Sequence, residues 1–405
     1  MEKGPKSAIT WPMNLSFQPD LLAEYGLTLS EEQYLQNASK TVIVGMSGGV
    51  DSSVTALLVK LQGYKVLGLF MKNWDETNPD GSCPADNDYQ DVIKVCEKLD
   101  IPYYSVNFVK EYWDAVFQEF LSDYRQGFTP NPDVLCNREI KFKVFYQRAR
   151  LLGADFLATG HYCQLDHYQL TKAIDQNKDQ TYFLYAVQKD VFEHVLFPIG
   201  HLPKPKVREL AERFDLATKA KKDSTGICFI GERNFKNFLS QYIEGQAGNF
   251  VDVSGKVLGK HDGVCFYTLG QRKGMGIGGP GEAWFVVAKN HEHNEVVLAQ
   301  GDDHPALYAD GLEAIELNWL SETPSGTFKC KAKVRYRQPE QDCTVVVEGD
   351  KVIVTFDYPQ RALTPRQSVV FYHGDNCLGG GIISAITPNY FELGKPLPKV
   401  PTVQI

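Results

Sequence analysis

The hydrophobic pattern divides the chain into a first part in which strands alternate with helices and a last part made of short strands. Between residue 40 and about residue 225, apolar runs of strand length are separated by segments with amphipathic helical spacing. The predicted strands are 40–46, 65–71, 102–108 and 155–162, and the predicted helices are 54–64, 88–101, 112–127 and 139–153. This alternation predicts an α/β fold with a doubly wound, mostly parallel, Rossmann-like sheet.

Beyond about residue 225 the helical spacing fades, and glycine and lysine become frequent. From about residue 300, regular short strands separated by turn residues predict a C-terminal antiparallel β-barrel. We expect an N-terminal extension at 1–39 that lies outside the fold, an α/β catalytic domain at 40–225, a small central domain at 226–298 and the barrel at 299–405.

Composition and charge narrow the class of protein. No run of eighteen apolar residues and no signal peptide is present, so we expect a cytoplasmic protein without a membrane partner. The nine cysteines form no CxxC pair, which argues against zinc ribbons and thioredoxin-type motifs and fits a reducing compartment. A net charge of −8 argues weakly against a nucleic-acid partner. Local basic clusters counter this: Arg138, Lys141, Lys143, Arg148 and Arg150; Lys204, Lys206 and Arg208; Lys219, Lys221 and Lys222; Arg272 and Lys273; and Lys331, Lys333, Arg335 and Arg337, which alternate along one predicted strand face.

The stretch GMSGGVDSS (45–53) joins the first strand to the first helix. A glycine pair lets backbone N–H groups turn toward an anion, and the helix N-terminus adds positive potential. A Walker A loop would require a lysine that is missing here. The loop is therefore better suited to hold a released pyrophosphate than a transferring γ-phosphate. Asp51 could brace the loop or hold a metal ion through water.

The loop resembles the PP-loop of the ATP pyrophosphatase superfamily, whose members cleave ATP between the α and β phosphates and adenylate a substrate oxygen. A second glycine-rich stretch, GMGIGGPG (274–281), matches a dinucleotide-binding pattern. It neither follows a clear strand nor opens a helix, so we interpret it as a surface loop.

Two cysteines have chemically suggestive neighbours. Cys136 lies between a proline-containing loop and the predicted helix 139–153, where the helix dipole and Arg138 would lower the pKa of its thiol. Asp133 precedes it and could exchange a proton with the thiol or with a substrate. Cys228 follows lysines 219, 221 and 222, which would favour a thiolate or a persulfide. Adenylation makes a carbonyl oxygen a leaving group, which sulfur could then replace.

Eight motifs in chain order resemble the tRNA-specific 2-thiouridylase family, MnmA. They are SGGVDSS (47–53), MKNWDE (71–76), NPDVLCN (131–137), ATGHY (158–162), KDQTYFLY (178–185), DSTGICFIG (223–231), LGQRKGMGIGG (269–279) and VRYRQ (334–338). The resemblance covers nearly all of the chain after residue 40. It implies ATP-dependent 2-thiolation of the wobble uridine in tRNAs for Lys, Glu and Gln.

The resemblance also implies roles for individual residues. ATP would bind Gly45, Met46, Ser47, Gly48, Gly49, Val50, Asp51 and Ser52, together with Met71 and Gly160. Asn131, Pro132 and Asp133 would meet the target base. Cys136 would be the nucleophile, Cys228 the persulfide carrier, and Asp133 a proton-transfer group. His161, Lys178, Asp179, Gln180, Arg335, Tyr336 and Gln367 would contact tRNA. The domain at 40–225 would bind ATP, and the domain at 226–298 would link the others and bind tRNA.

The family further implies a reaction cycle and partners. A cysteine desulfurase or a sulfur-relay protein would load Cys228, ATP with Mg²⁺ would adenylate uridine O2, and sulfur would reach C2 as a persulfide or as a sulfide freed by Cys136. AMP would leave, and a disulfide between the two cysteines would remain. An iron–sulfur cluster on these cysteines and a carboxylate is an alternative that we do not favour, because three or four thiolates are usual. No protein-held metal site is otherwise expected.

Two other functions are compatible with parts of the pattern. The first is another PP-loop enzyme with a different acceptor, either an adenylating synthetase or an RNA sulfurtransferase. Full activity of a Cys136→Ser variant would favour the synthetase. The second is a nucleotide-sensing or RNA-binding module without catalysis, which would bind ATP but release no AMP when tRNA and a sulfur donor are added. The paired cysteines beside an adenylating loop favour sulfur transfer.

Overall fold

The computed structural model describes residues 17–75, 84–223 and 235–398. The strands in chain order are β1 Thr41–Met46, β2 Lys65–Lys72, β3 Tyr103–Asn107, β4 Phe156–Ala158, β5 Cys163–Asp166, β6 Gln169–Lys172, β7 Val195–Leu196, β8 Gly248–Asp252, β9 Val257–His261, β10 Trp284–Asn290, β11 Glu295–Gln300, β12 Tyr308–Trp319, β13 Thr327–Lys333, β14 Gln341–Glu348, β15 Lys351–Arg361, β16 Ser368–His373 and β17 Asn376–Ile386.

The helices frame the first sheet. They are α1 Pro19–Glu24, α2 Glu31–Asn37, α3 Val50–Leu61, α4 Pro84–Leu99, α5 over residues 109–125, α6 over residues 132–151, α7 Lys204–Arg213 and α8 Phe235–Leu239. Both α5 and α6 contain a π-helical part, at Trp113–Phe117 and Cys136–Phe145. Short 3₁₀ turns lie at Thr181–Phe183, Lys189–His194, Val264–Phe266 and Pro305–Leu307.

The first sheet is parallel throughout and has the order β3-β2-β1-β4-β7. Its β-branched and leucine side chains are buried on both faces: Ile43 and Leu69 belong to one core, and Val44 and Phe70 to another. Strands buried on two faces explain the continuous apolar runs in the sequence. The predicted doubly wound α/β sheet is confirmed.

The N-terminal extension is part of this fold from residue 17 onward. Leu22 in α1 is 1% exposed, and Tyr25, the first residue after this helix, is 2% exposed. The hydroxyl of Tyr25 donates to Glu209 Oε1 on α7 at 3.2 Å. The prediction that residues 1–39 lie outside the fold is therefore wrong for residues 17–39. Apolar side chains of this segment, among them Leu21 and Leu22, are buried in one of the two cores of the α/β domain.

A second sheet has the order β10-β11-β8-β9. The glycine-rich stretch 274–281 lies in the irregular segment before β10, and no helix follows it. Between β11 and β17 the chain forms six antiparallel strands in the order β12-β15-β14-β13-β16-β17, and β17 pairs back with β12. This closes the ring, so the predicted C-terminal antiparallel barrel is confirmed.

The barrel departs from prediction in two places. Strand β13 ends at Lys333, so Arg335 and Arg337 lie in the following turn and do not share a strand face with Lys331. Lys333 itself is 9% exposed. The predicted basic strip is therefore wrong, because the alternating pattern continues past the point where the chain turns. The barrel sheet also extends into the first domain, since Asn376 pairs with Thr171 in β6.

Candidate active site

The phosphate loop lies at the carboxyl end of the parallel sheet, between β1 and α3. Gly49 caps α3 without a side-chain hydrogen bond, so the first-turn N–H groups have no side-chain acceptor there. The loop is held from within: Ser47 N donates to Ser52 Oγ at 3.2 Å, and Ser53 Oγ donates to the Gly49 carbonyl at 2.8 Å. Thr218 Oγ1 donates to Ser53 Oγ at 2.9 Å. A preformed loop with an uncapped helix terminus is an anion-binding geometry.

Two glycines of the loop region are required by close contacts. Gly48 has φ +72°, and a Cβ there would lie 2.5 Å from the Asp88 carbonyl oxygen. Gly160, which follows β4, approaches the start of α3 so closely that a Cβ would lie 3.0 Å from Ser52 N. Any larger side chain at either position would push the loop out of place. Both glycines were predicted to line the nucleotide site.

Asp51 is braced by two side chains from elsewhere in the chain. Lys204 Nζ lies 2.7 Å from Asp51 Oδ1 and 2.8 Å from Oδ2, and the Tyr162 hydroxyl donates to Oδ1 at 2.8 Å. Burial first, and then the charge of Asp51, raise the pKa of Tyr162, so this hydroxyl remains a donor. These contacts fit the bracing role considered for Asp51, and the role of holding a metal ion through water stays a prediction.

Asp223 connects the Asp51–Lys204 ion pair to two further cationic side chains. Its carboxylate lies 2.9 Å from Lys204 Nζ, 2.6 Å from Lys178 Nζ and 2.5 Å from an Arg208 guanidinium nitrogen. Burial alone would raise the pKa of this carboxyl, but the hydrogen bonds and charges of Lys178 and Lys204 outweigh it and hold the pKa well below its usual range. Asp223 is therefore ionised at neutral pH and connects the phosphate loop to the predicted tRNA-binding loop at Lys178.

The nucleophile predicted at Cys136 lies inside a helix. Helix α6 starts at Pro132, and the Asn131 side chain caps it by accepting from Asp133 N at 3.2 Å. Cys136 is the fifth residue of α6, the first of its π-helical part, and is fully buried. The prediction of a loop cysteine ahead of helix 139–153 is therefore wrong, because Asn131 and Pro132 start the helix seven residues earlier. Asp133, in the first turn, is half-buried.

Helix α6 packs directly on the strand that leads to the phosphate loop. A Cβ on Gly45 would lie 3.3 Å from the Phe145 ring, so the helix and the strand are in close contact here. Cys136 shares its core with Ile43 of β1 and Leu69 of β2. Within the predicted ATP set, Met46 is buried at the end of β1, and Met71 is half-buried near the end of β2.

Cys228, the predicted persulfide carrier, lies outside the described residues. Two lysines expected to activate it have carboxylate partners: Lys219 pairs with Asp215 at 2.5 Å, and Lys221 pairs with Asp88 and Asp91 at 2.7 and 2.9 Å. The basic clusters of the sequence are thus partly neutralised in the folded chain.

Several residues predicted to contact tRNA are buried or half-buried and form hydrogen bonds within the protein. His161 is 7% exposed and its Nδ1 bonds to Thr159 Oγ1 at 2.9 Å; burial, and next the charge of Lys141, hold its pKa well below 6.5. Asp179 is 3% exposed and accepts from Ala173 N and Thr181 Oγ1. Burial raises the pKa of Asp179. The half-buried Gln180 accepts from Tyr162 N at 2.9 Å.

The remaining predicted contacts come from the barrel. Arg335 donates to Thr364 Oγ1 at 2.7 Å and to the Ala362 carbonyl at 3.1 Å. The Tyr336 ring lies 4.5 Å from the ring of Phe183, next to the loop that carries Lys178. Gln367 donates to the carbonyl of Thr129, just ahead of Asn131. The structure therefore brings the barrel residues to the elements that carry the other predicted site residues.

Comparisons with known proteins identify the family. The chain is 58% identical to a tRNA-specific 2-thiouridylase MnmA of Protochlamydia amoebophila, over 89% of this chain and 97% of the relative. It is also 58% identical to one of Halalkalibacterium halodurans, over 85% of this chain and 95% of the relative.

The chain belongs to the MnmA family of tRNA-specific 2-thiouridylases. This confirms the predicted family and the predicted class of enzyme, a tRNA sulfurtransferase. Three domain families also match: a tRNA methyl transferase HUP domain at residues 40–232, a tRNA methyl transferase PRC-barrel domain at 236–300 and an aminomethyltransferase β-barrel domain at 309–383.

Sequence reasoning missed several residues of this MnmA-family site. Lys204 was interpreted only as part of a basic cluster, and Tyr162 and Asp223 only as letters of family motifs. Lys204 and Tyr162 reach Asp51 across 153 and 111 residues, so no local pattern could have joined them to it. Within the described ranges, no helix is long and apolar enough to cross a bilayer, and no group of three His, Cys, Asp or Glu side chains is placed to hold a metal ion.

Proposed function

We propose that the protein transfers sulfur to C2 of the wobble uridine in tRNAs for Lys, Glu and Gln, with ATP as the activating substrate. One observation carries the proposal: the helix of Cys136 and Asp133 packs on β1 directly below an uncapped phosphate loop. This arrangement puts an anion-binding terminus and a buried thiol on adjoining elements. Membership of the 2-thiouridylase family supplies the acceptor.

The phosphate loop supports cleavage between the α and β phosphates. The first-turn N–H groups of α3 would hold pyrophosphate, and Lys204 would offset the charge of Asp51 beside it. Uridine O2 would attack the α-phosphorus, pyrophosphate would leave, and the base would carry AMP on O2. Lys204 contacts both oxygens of Asp51, so this carboxylate is paired where Mg²⁺ would accompany the phosphates.

Sulfur transfer would then use the two predicted cysteines. The terminal sulfur of a Cys228 persulfide would reach C2 and AMP would leave with O2. Cys136 would attack the inner sulfur, either before transfer, freeing sulfide, or after it, freeing the thiolated base. Both orders end in a Cys136–Cys228 disulfide, and an external dithiol would reduce it. A cysteine desulfurase or a sulfur-relay protein would supply the persulfide, and Asp133 would exchange the proton at the base.

The test is incubation of the full chain with ATP, a cysteine desulfurase with cysteine, a dithiol and unmodified tRNA, with 2-thiouridine measured by mass spectrometry. We expect product from the wild type, and none from Cys136→Ser or Cys228→Ser. Cys265→Ser is the matched control, since this half-buried cysteine lies in the second sheet region, and should retain activity. A parallel reaction with S-adenosylmethionine tests methyl transfer. Absence of 2-thiouridine both with and without oxygen would reject the proposal.

A further inference from the structure

Asn73 carries a buried amide without any hydrogen-bond partner. It follows β2 directly, is 1% exposed, and neither its Nδ2 nor its Oδ1 has a partner. Burying both halves of an amide unpaired is costly, and native structures rarely tolerate it without a reason. In the part of the chain that the structure describes, the other buried side-chain atoms of this kind are Asn137 Oδ1 and His261 Nε2.

Asn73 follows the carboxyl end of β2, the edge of the sheet at which the phosphate loop follows β1. Strands β1 and β2 pair until Met46 lies opposite Phe70, and β2 continues beside β3 as far as Lys72. Asn73 therefore leaves the sheet at the same edge as the phosphate loop, three residues beyond Phe70, where the β1–β2 pairing ends. Met71 and Trp74, on either side of Asn73, both pack against the core that contains Cys136. Ligands of such sheets bind at this edge.

Asn137, on helix α6, carries a second amide with an unpaired atom. It follows Cys136 in α6, is 3% exposed, and donates from Nδ2 to the Phe183 carbonyl at 3.0 Å. That bond fixes which way the amide points, and Oδ1 is left without a partner. The end of β2 and helix α6, which packs on the neighbouring strand β1, therefore each carry an unsatisfied buried amide group, which is expected of a polar ligand site.

We propose that Asn73 binds the hydrogen-bonding edge of a nucleobase. A primary amide offers a donor beside an acceptor. A phosphate has acceptors alone and would leave Oδ1 unpaired, whereas adenine and uracil each present a donor next to an acceptor and satisfy both halves. The inference rests on the proposed function, which brings two such bases to this site, the adenine of ATP and the target uracil.

The test compares Asn73→Leu with the wild type in the full-length protein. Leucine keeps the volume and removes both unpaired polar atoms, so we expect the Tm of the ligand-free protein to stay equal or rise. Nucleobase binding should weaken about tenfold or more. Asn37→Leu is the control: Asn37 is 7% exposed, but its Nδ2 donates to the Gln62 carbonyl at 2.9 Å. That variant should lose Tm and keep wild-type binding.

Two measurements separate the two bases. ATP and GTP are titrated by calorimetry, and KM for tRNA is measured at saturating ATP. Weaker ATP binding with less preference for ATP over GTP assigns Asn73 to adenine; unchanged ATP binding with a raised KM for tRNA assigns it to uracil. Unchanged binding of both, or a loss of Tm like that of Asn37→Leu, would overturn the proposal. A wild type that binds neither ATP nor tRNA would instead reject the proposed function.

Discussion

Lys204 Nζ contacts both carboxylate oxygens of Asp51, at 2.7 and 2.8 Å, and so joins the first turn of α7 to the first turn of α3. The lysine is 8% exposed. The phosphate loop has no lysine of its own in the sequence, yet the folded chain supplies one from 153 residues away. The charge of Asp51 is thereby offset at the place where an anion would bind.

We expect Lys204→Met to lower tRNA-dependent pyrophosphate release about 100-fold. The Asp51 carboxylate, left with the Tyr162 hydroxyl as its partner, would repel the phosphates and would also destabilise the fold, by about 1–2 kcal/mol because it is partly exposed. Pyrophosphate release is followed with a coupled phosphate assay, and the free energy of unfolding by urea titration. The double variant Asp51→Asn, Lys204→Met removes both charges and should recover stability.

Lys206→Met is the matched control for this prediction. Lys206 lies on the same helix and pairs with Glu209 at 2.9 Å, but its side chain is 45% exposed. An exposed pair contributes about 0–1 kcal/mol, so this variant should behave like the wild type. Wild-type pyrophosphate release by Lys204→Met would contradict the role assigned to the pair.

Arg366 connects the barrel to helix α5. Its Nε lies 3.0 and 2.8 Å from the two oxygens of Asp123, and the adjacent Gln367 donates to the Thr129 carbonyl ahead of α6. Arg366→Ala leaves the Asp123 carboxylate buried and unpaired, so we expect a loss of about 3 kcal/mol in the free energy of unfolding. Because Arg366 precedes Gln367, which holds the loop before Asn131, loss of the Arg366 contact should also loosen that loop, and kcat for thiolation should fall more than ATP affinity.

The control for Arg366 is an exposed ion pair of the barrel. Lys351 and Glu313 lie 2.8 Å apart with side chains 40% and 41% exposed. Lys351→Ala should therefore change the free energy of unfolding by no more than about 1 kcal/mol. If urea titration gave Arg366→Ala and Lys351→Ala the same free energy of unfolding, the Arg366–Asp123 contact would not stabilise the fold as described.

The sequence predicted what depends on neighbouring residues. β1 and the phosphate loop were predictable because an apolar run, a glycine pair and a helical pattern follow one another within twenty residues. The helix start at Asn131 and Pro132 was also readable, since asparagine caps helices and proline favours their first position, but the prolines were interpreted as loop residues. The Asp51–Lys204 pair was beyond reach, because it depends on where α7 packs against α3.

Burial of His161 predicts a pH-dependent stability. Its folded pKa lies well below the unfolded value of 6.5, because burial disfavours the charged ring. The unfolded chain therefore binds the proton first. This contribution to stability is complete above pH 6.5 and is lost as the pH falls below that value.

Accordingly, the wild type should lose stability relative to His161→Gln between about pH 7 and about pH 5, by about 1.4 kcal/mol per unit within the titrating range. Urea titrations at several pH values measure the difference. His167, whose side chain is 98% exposed, serves as the control, and His167→Gln should follow the wild type at each pH. A constant difference between His161→Gln and the wild type would show that the buried ring does not titrate as described.

Arg272 and Lys273 are the strongest candidates for contacts with tRNA phosphates. Both are exposed in the segment before β10, and within the described ranges neither forms an ion pair. Each phosphate contact adds about 0.7–0.9 to the slope of log affinity against log salt. The double variant Arg272→Ala, Lys273→Ala should therefore lower this slope by about 1.5, measured by filter binding of tRNA. Lys219→Ala is the control, because Lys219 is paired with Asp215 and its charge is already offset. Equal slopes for the double variant and the wild type would place the tRNA backbone elsewhere on the protein.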